Sequence, residues 1–474
     1  MLLTPELTLA GLMLVVFVLG LLWGPGRYRE IGAVTAAGLA GLFVLSIVLD
    51  SRGALFDGAY AVDGLARFFK QVFVLATLLG VLGGLALPQP AFHRRAPEYH
   101  LLVLASLLGM MLLASARELV LLFVAFELMS IPLYVLAAFL KRDELAVEAG
   151  LKFFLVGSLS TAILAYGLSF LYGATGTTML PDVARALWTI EIGGPGNGLL
   201  VLGFVLVLAG LGFKIAAFPF HMWVPDTYEA ASTPFVAWLS IAPKAAGFAA
   251  IFRVFVEGAG SRAALWVPLA ATLGALTMIG GNLMALPQTN VKRLLAYSGI
   301  AHIGYMLLAV AAASPFGVAA VLFYLVAYVF SNMGAFLVVE AVAQSEGSAG
   351  VAAFRGLAQR SPLLALAMLL FLLSLGGIPF VVGFWAKLYV FWAAVEAGLY
   401  GLVLLGAVLT VVALFYYLLV AKQMYIDAPA TRTPVAVPAA LAFVILASAL
   451  AVVLLGLYPR PLVETALRAA APLF

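Results

Sequence analysis

Runs of about twenty apolar residues alternate with short polar breaks along nearly the whole chain. A helix needs ~20 such residues to cross the hydrocarbon of a bilayer. The pattern predicts about fourteen spans, near residues 7–23, 30–49, 64–87, 100–115, 118–140, 148–172, 197–220, 233–256, 263–286, 294–313, 315–342, 361–391, 397–421 and 435–458. Connections are nearly absent between spans four and five and between spans ten and eleven. Connections this short imply antiparallel neighbours in a tight bundle. Two of the spans carry breakers. Span seven meets Pro219 in AAFPFHMW, and span twelve meets Gly376, Gly377, Pro379 and Gly383 in LGGIPFVVGFWAK. Proline removes a backbone donor and clashes with the preceding turn, so neither helix is expected to continue unbroken.

The breaks suggest an internal repeat. Spans four to eight cover about 100–256 and spans nine to thirteen cover about 263–421, and each set holds one broken helix. Five is an odd number of crossings, so the second set must run in the opposite sense to the first. The expected fold class is therefore an all-α polytopic membrane protein with two inverted five-helix repeats, each containing one discontinuous helix. A three-helix segment, 1–99, precedes them, and a last span and tail, 435–474, follow.

Composition agrees with a membrane class. Of 474 residues, 65% are hydrophobic and 10% charged, with a mean hydropathy of +1.16. Soluble domains are roughly a quarter charged. The chain has no cysteine, which excludes disulfides, iron–sulfur clusters and thiolate metal sites within it. A net charge of +4 reads as loop charge facing lipid rather than as nucleic-acid affinity. The stretch from Met1 to Trp23 lacks a basic n-region, so it is read as a first span and not as a cleavable leader. Lysine and arginine set the orientation. Loops after odd-numbered spans hold twelve of them, including Arg27, Arg29, Arg94, Arg95 and Arg432; the even side holds seven, including Lys70 and Arg253. The odd loops are expected in the cytoplasm and both termini in the periplasm, across a bacterial inner membrane. The loop 173–196, with GGPGNG, reads as a turn cluster and not as a phosphate loop.

Charges inside the spans carry the candidate chemistry. Glu127 lies in span five, Lys214 in span seven, Lys244 in the middle of span eight, His302 in span ten and Lys387 in span twelve. Each has a plain structural alternative. A lysine near a helix end ordinarily snorkels, a buried carboxylate and lysine can pair without doing chemistry, and a single histidine on a polar face is often satisfied structure. His221, beside Trp223, reads as interfacial, and Glu148, Lys152 and Glu340 as solvated residues near helix ends. The set as a whole points elsewhere. Charges at membrane depth are costly and, beside broken helices, mark an ion or proton path.

Longer stretches carry a resemblance. FELMSIPLYVLAAF, EAGLKFFLVGSLSTAILAYGLSFLYGATGTT, GFKIAAFPFHMWVPDTYEAASTPFVAWLSIAPKAAGFAAIFRV, NVKRLLAYSGIAHIGYML and SLGGIPFVVGFWAKLYVFW are similar to the antiporter-like membrane subunits of respiratory complex I, most of all to the subunit N branch. The resemblance covers nearly the whole length. One departure is IPF at 378–380, where the family commonly has a second proline. The resemblance implies proton translocation coupled to quinone reduction in other subunits. Glu127 and Lys214 would be its coupled pair, Lys244 the connecting lysine, His302 a residue of the polar axis and Lys387 the terminal exchange site. It implies no cofactor in this chain, with flavin and iron–sulfur clusters in partner subunits. It also implies membrane partners that include a second antiporter-like subunit and a small-subunit neighbour, together with lipids. A cation/proton antiporter subunit of the multi-subunit sodium extrusion type shares the fold and is the second reading; PDTYEAA argues against it. A structural scaffold without transport is the third, and it gives no reason for the charge set.

Overall fold

A computed structural model of the chain describes residues 1–24, 26–85, 87–190, 197–429 and 433–474. The part of the GGPGNG cluster at 193–196 and the loop charge Arg432 lie outside those residues. The N-terminal segment contains α1 (Thr4–Leu22), α2 (Tyr28–Val48), α3 (Gly64–Gly84) and the short α4 (Pro90–Arg94). The next group is α5 (Ala96–Ser115), α6 (Leu119–Ala137), α7 (Glu144–Thr175), α8 (Leu180–Thr189), α9 (Asn197–Ile215), α10 (Trp223–Ala230), α11 (Thr233–Leu239) and α12 (Ala242–Ile251). There follow α13 (Ala263–Ala285), α14 (Val291–Ala311), α15 (Pro315–Glu346), α16 (Leu357–Arg360), α17 (Pro362–Gly376), α18 (Val382–Glu396) and α19 (Tyr400–Tyr425). The chain ends in α20 (Ala439–Leu457) and α21 (Arg460–Ala470). Among the described residues thirteen stretches are long and apolar enough to cross a membrane. The pair α17–α18 makes the fourteenth as two half-helices. This is a multi-pass, all-α membrane protein.

Burial sorts the helices by depth in the bundle. The crossings Thr233–Gly258, Val291–Ala311 and Pro315–Glu346 are almost wholly buried, whereas α1 and α7 keep broad exposed faces. In water an exposed apolar face would be costly; in a bilayer it is the surface lipid wets. The interior is therefore built by α11, α12, α14 and α15, the helices that bring the polar residues.

Both expected breaks are present. α9 stops at Ile215, and α10 resumes at Trp223 after a cis Phe218–Pro219 bond. α17 stops at Gly376, with Gly377 in the left-handed region at φ 81°, and α18 starts at Val382. Each break also holds one non-glycine residue with positive φ, Ala216 at 66° and Phe380 at 74°. Such residues cost on the order of 1–3 kcal/mol each and persist only where the surroundings impose them.

Four features differ from the sequence reading. Span eight is not one helix with Lys244 at its middle: it stops at Leu239, restarts at Ala242 and passes into a π-helical turn over Phe252–Gly258. Pro243 explains the restart, because proline fits the first turn of a helix, where its missing N–H costs nothing, but not its interior. The outer loop 173–196 contains the amphipathic α8, bridged to the start of α6 by Glu118 and Met179. The connection from α2 to α3 forms a small hairpin of β1 (Gly53–Leu55) and β2 (Tyr60–Val62). Glu340, read as solvated, is buried.

Candidate functional site

Four basic side chains expected inside the membrane are buried there: Lys214, Lys244, His302 and Lys387 expose 1%, 1%, 3% and 5% of their surface. Snorkelling does not account for side chains this enclosed. Glu127 is half-buried on α6 and accepts a hydrogen bond from Thr161 at 2.7 Å.

Lys214 sits one residue before the end of α9. Its ammonium lies 5.2 Å from the ring centre of Phe126 and 5.8 Å from that of Tyr134, with no hydrogen-bond partner among the described residues. Glu127, next to Phe126 in sequence, makes no direct ion pair with it. The stem of Lys214 rests against Gly247 of α12, one turn beyond Lys244. The ammonium of Lys244 stands 5.4 Å from the ring centre of Tyr228 and is also unpartnered by protein. Gly299 of α14 makes the space: a β-carbon there would meet Tyr328 Oη at 2.7 Å and Lys244 Nζ at 3.4 Å. Lys244 and Tyr328 thus face the same point on α14.

From Tyr328 the polar groups run on through α14, α15, α18 and α19. The rings of Tyr328 and His302 are 5.2 Å apart. His302 Nδ1 meets Tyr324 Oη at 2.6 Å, and Nε2 meets Tyr417 Oη at 3.1 Å, which in turn meets Ser298 Oγ at 2.5 Å. Tyr305 lies on the same helix, and Lys387 stands over its ring at 5.0 Å. Lys387 donates to Gly376 O at 3.1 Å, a carbonyl freed by the break. A small cavity of about 10 Å³, lined by His302, Tyr324, Tyr328, Ser331 and Ser374, lies beside this part of the axis. Its rim is held by the Ser331–Ser374 hydrogen bond at 2.7 Å.

Sequence reasoning selected the charges and missed the tyrosines. Tyr228, Tyr305, Tyr324, Tyr328 and Tyr417 fill the intervals between the cations. A pattern was there to read: Tyr324, Tyr328, Ser331 and Asn332 share one face of an otherwise apolar helix. His221 is buried and stacked on Phe218 at 4.9 Å, away from the axis contacts.

The two ends of the bundle hold charged clamps. At one end Asp226 accepts from Lys152 and Arg293 at 2.9 Å each, and Arg293 also reaches Glu229 at 2.9 Å. Partial burial pushes the Asp226 carboxyl up, but the two cations overcome it and hold it below the usual range. Beside them the Lys292 ammonium caps the carbonyls of Glu229 and Ala231 at 2.7 and 2.8 Å. At the other end Arg253, fully buried, holds Asp63 with two hydrogen bonds of 2.8 and 2.9 Å, Glu257 at 2.8 Å and the carbonyl of Ala114. Lys70, counted as a loop charge, is buried and paired with Glu6 at 2.7 Å. Among the described residues no group of three histidine, aspartate or glutamate side chains could hold a metal.

The signature of the NADH:quinone oxidoreductase/Mrp antiporter transmembrane family spans residues 116–413, the stretch that contains every axis residue above except Tyr417. The chain belongs to that family. It is 42% identical to the NADH-quinone oxidoreductase subunit N of Moorella thermoacetica, over 100% of this chain and 98% of that one. It is 36% identical to the F(420)H(2) dehydrogenase subunit N of Methanosarcina mazei, over 99% and 98%. Among solved structures it superposes on a chain of respiratory complex I from Thermus thermophilus with a TM-score of 0.82 at 37% identity, covering 97% of this chain and 99% of that one. A chain of the Mrp complex of Dietzia sp. gives 0.87 at 24% identity, over 99% and 97%, a likeness of fold alone.

Proposed function

We propose that this chain is a proton-translocating subunit of a quinone-reducing complex, the NADH-quinone oxidoreductase of its nearly full-length relatives, and that Glu127, Lys214, Lys244, His302 and Lys387 carry the proton. The observation that carries the reading is the row of buried lysines joined by tyrosines. Three ammonium groups at membrane depth, two of them without a protein partner, have no structural use that justifies their cost. A group that can take and release a proton has one. The flanks of the two broken helices, at Pro219 and at Gly376, Gly377 and Pro379, supply unwound backbone where the chain must be polar but closed to lipid.

The mechanism is electrostatic. A change in a neighbouring membrane subunit alters the field at Glu127. Because Glu127 and Lys214 do not touch, their coupling acts through that field and through Phe126 and Thr161, not through a contact that must break. Lys214 passes its proton to Lys244, and from there it moves by Tyr328, His302 and Tyr305 to Lys387. The side chains alone do not form one unbroken hydrogen-bonded row, so bridging waters complete the transfers. Moving one charge against 100 mV costs about 2.3 kcal/mol, which a swing of roughly 2 pKa units covers. Flavin and iron–sulfur chemistry belongs to partner subunits. The neighbours would include a second antiporter-like subunit, a small membrane subunit and lipids, in a bacterial inner membrane with both termini outside. The functional halves of the chain would be the repeats 100–256 and 263–421.

Two substitutions test the pair. Glu127→Gln keeps shape and removes charge; Lys214→Met keeps length and removes the proton. In assembled complex each should lower both proton translocation and coupled quinone reduction by roughly tenfold or more, the scale of losing a positioned acid–base group. Full pumping at normal assembly would reduce the pair to structure. Sodium-dependent transport by the wild-type chain would favour the cation-antiporter reading instead.

A further inference from the structure

A groove of about 380 Å³ lies between α1, α2 and α5, and no residue of the lysine row lines it. Its floor is apolar: Phe17 and Leu21 of α1, Ile31 of α2 and Leu101 of α5. Gly20 sets its depth, because a β-carbon there would stand 2.6 Å from the Pro97 ring, so the α1 and α5 backbones close to contact below the groove. Phe17 and Leu21 are 50% and 71% exposed, and they continue a stripe with Leu14 and Val18 that nothing in the chain covers. One end of the groove is different. Arg27 and Arg94 stand at its mouth, with His93 behind them. His93 is held by the Leu87 carbonyl at 3.2 Å and faces the Tyr28 ring at 5.5 Å, so it forms wall rather than rim.

The charges at the mouth are unspent. Arg27, Arg94 and their neighbours Arg29 and Arg95 are all exposed, and among the described residues none has a carboxylate partner. Glu98 lines the groove as well and Glu30 lies nearby in sequence; four arginines against these two carboxylates leave an excess of cations. The level is that of the membrane surface. Trp23 is half-buried there, with the Arg27 guanidinium 5.6 Å from its ring centre, and tryptophan and arginine together mark the headgroup layer. Gly26 N–H donates to His93 O at 2.9 Å, which ties the residue before Arg27 to α4.

We infer that this groove is a binding site for an anionic phospholipid, whose phosphate lies between Arg27 and Arg94 and whose acyl chains lie along Phe17, Leu21 and Leu101. Three observations select this occupant over a protein segment. The apolar floor runs from the headgroup level down the membrane direction, as an acyl chain does. The cations gather at one end only, as a single headgroup requires. Arginine presents paired N–H groups that match a phosphate. Basic pockets between transmembrane helices at a membrane surface are sites of this chemistry. The inference does not depend on the proton path, which lies elsewhere in the bundle.

The test uses the purified, delipidated complex. Cardiolipin, phosphatidylglycerol and phosphatidylcholine are titrated separately, and lipid retained per complex is counted by native mass spectrometry. The complex carrying Arg27→Gln with Arg94→Gln is expected to retain one fewer anionic lipid than wild type. The concentration needed to fill that site should rise roughly 20- to 30-fold, about fivefold for each arginine. Arg27→Lys with Arg94→Lys should keep most of the binding. Equal anionic-lipid counts in wild type and the glutamine variant overturn the site, and so does phosphatidylcholine filling it as readily. Displacement of the lipid by millimolar inorganic phosphate would reduce it to an ion site. A photoreactive residue at Leu101 provides an independent arm: it should crosslink to lipid, and crosslinking to another subunit instead would give the groove to a protein partner.

Discussion

Lys387 is held by one carbonyl and one ring. Gly376 O accepts from its ammonium, and the stem passes so close to Gly377 that a β-carbon there would meet Cδ at 2.7 Å. The left-handed turn at Gly377 and the proximity of the lysine therefore demand the same residue, because glycine alone meets both without strain. This geometry suits a group that must give its proton away: the carbonyl receives the charged form, and Tyr305 stands beside it. Lys387→Met should suppress proton translocation per electron pair in reconstituted vesicles by roughly tenfold or more at equal assembly. Lys387→Arg should do no better, because arginine keeps the charge but its pKa above ~12 prevents release. Pumping by the Arg variant at the wild-type level would show that only the charge matters and would remove this side chain from the proton path.

Between elements, the strongest polar contact is the one that ties α3 to the end of span eight. Asp63 caps α3 by accepting from Ala66 N–H at 2.8 Å while its two oxygens take the Arg253 guanidinium. Burial pushes the Asp63 carboxyl up, but Arg253 overcomes this and holds it below the usual carboxylate range. A carboxyl depressed in the folded state contributes stability above its unfolded pKa of ~3.9 and loses it as pH falls through the lower folded value. At neutral pH the contribution is complete. Asp63→Asn keeps the helix cap and removes the charge, leaving Arg253 with Glu257 as its carboxylate and with the Ala114 carbonyl. It should destabilise the subunit by about 3 kcal/mol, the cost of breaking a buried pair, whereas Asp63→Asn with Arg253→Met should recover much of the loss. Denaturation of the complex at pH 7 measures both, and a double variant no better than the single would show that the pair contributes through packing instead.

This contact also marks what the sequence could carry. Pro219 and the Gly376–Pro379 cluster announced their breaks because proline and glycine act locally. Pro243 announced one too, since it forces a helix to begin near it, and it was overlooked because the apolar run continues through Ser240. The Tyr324 and Tyr328 face was legible from its period. The Asp63–Arg253 contact was not: the two residues lie far apart in sequence, and nothing local to either names the other. The same holds for Lys70, whose partner Glu6 turned an apparent loop charge into a buried pair.

At the scale of the whole molecule the open question is which end faces the cytoplasm, and the fold sharpens the charge argument. The count of lysines and arginines on the even side included Lys70, Arg253 and Arg262, all three now buried in pairs or on carbonyls. Buried charges of that kind are committed to partners and do not report orientation, because the bias is set by loops. Setting these three aside, and with them Lys292 and Arg360 on the odd side, which are buried and partnered likewise, leaves ten against four in favour of the odd loops as cytoplasmic, the side of the clamp formed by Lys152, Asp226 and Arg293. The cysteine-free chain lets this be measured directly. Arg142 lies in the turn after α6 and Thr189 at the end of α8; both are exposed, on opposite sides of the bundle by the number of crossings between them. A cysteine at position 142 should react with a membrane-impermeant thiol reagent only when the cytoplasmic face is open to it, as in inverted vesicles. A cysteine at position 189 should react only from the outside of intact cells or spheroplasts. The reverse pattern would turn the molecule over, and with it the direction of the proton delivery proposed for Lys387.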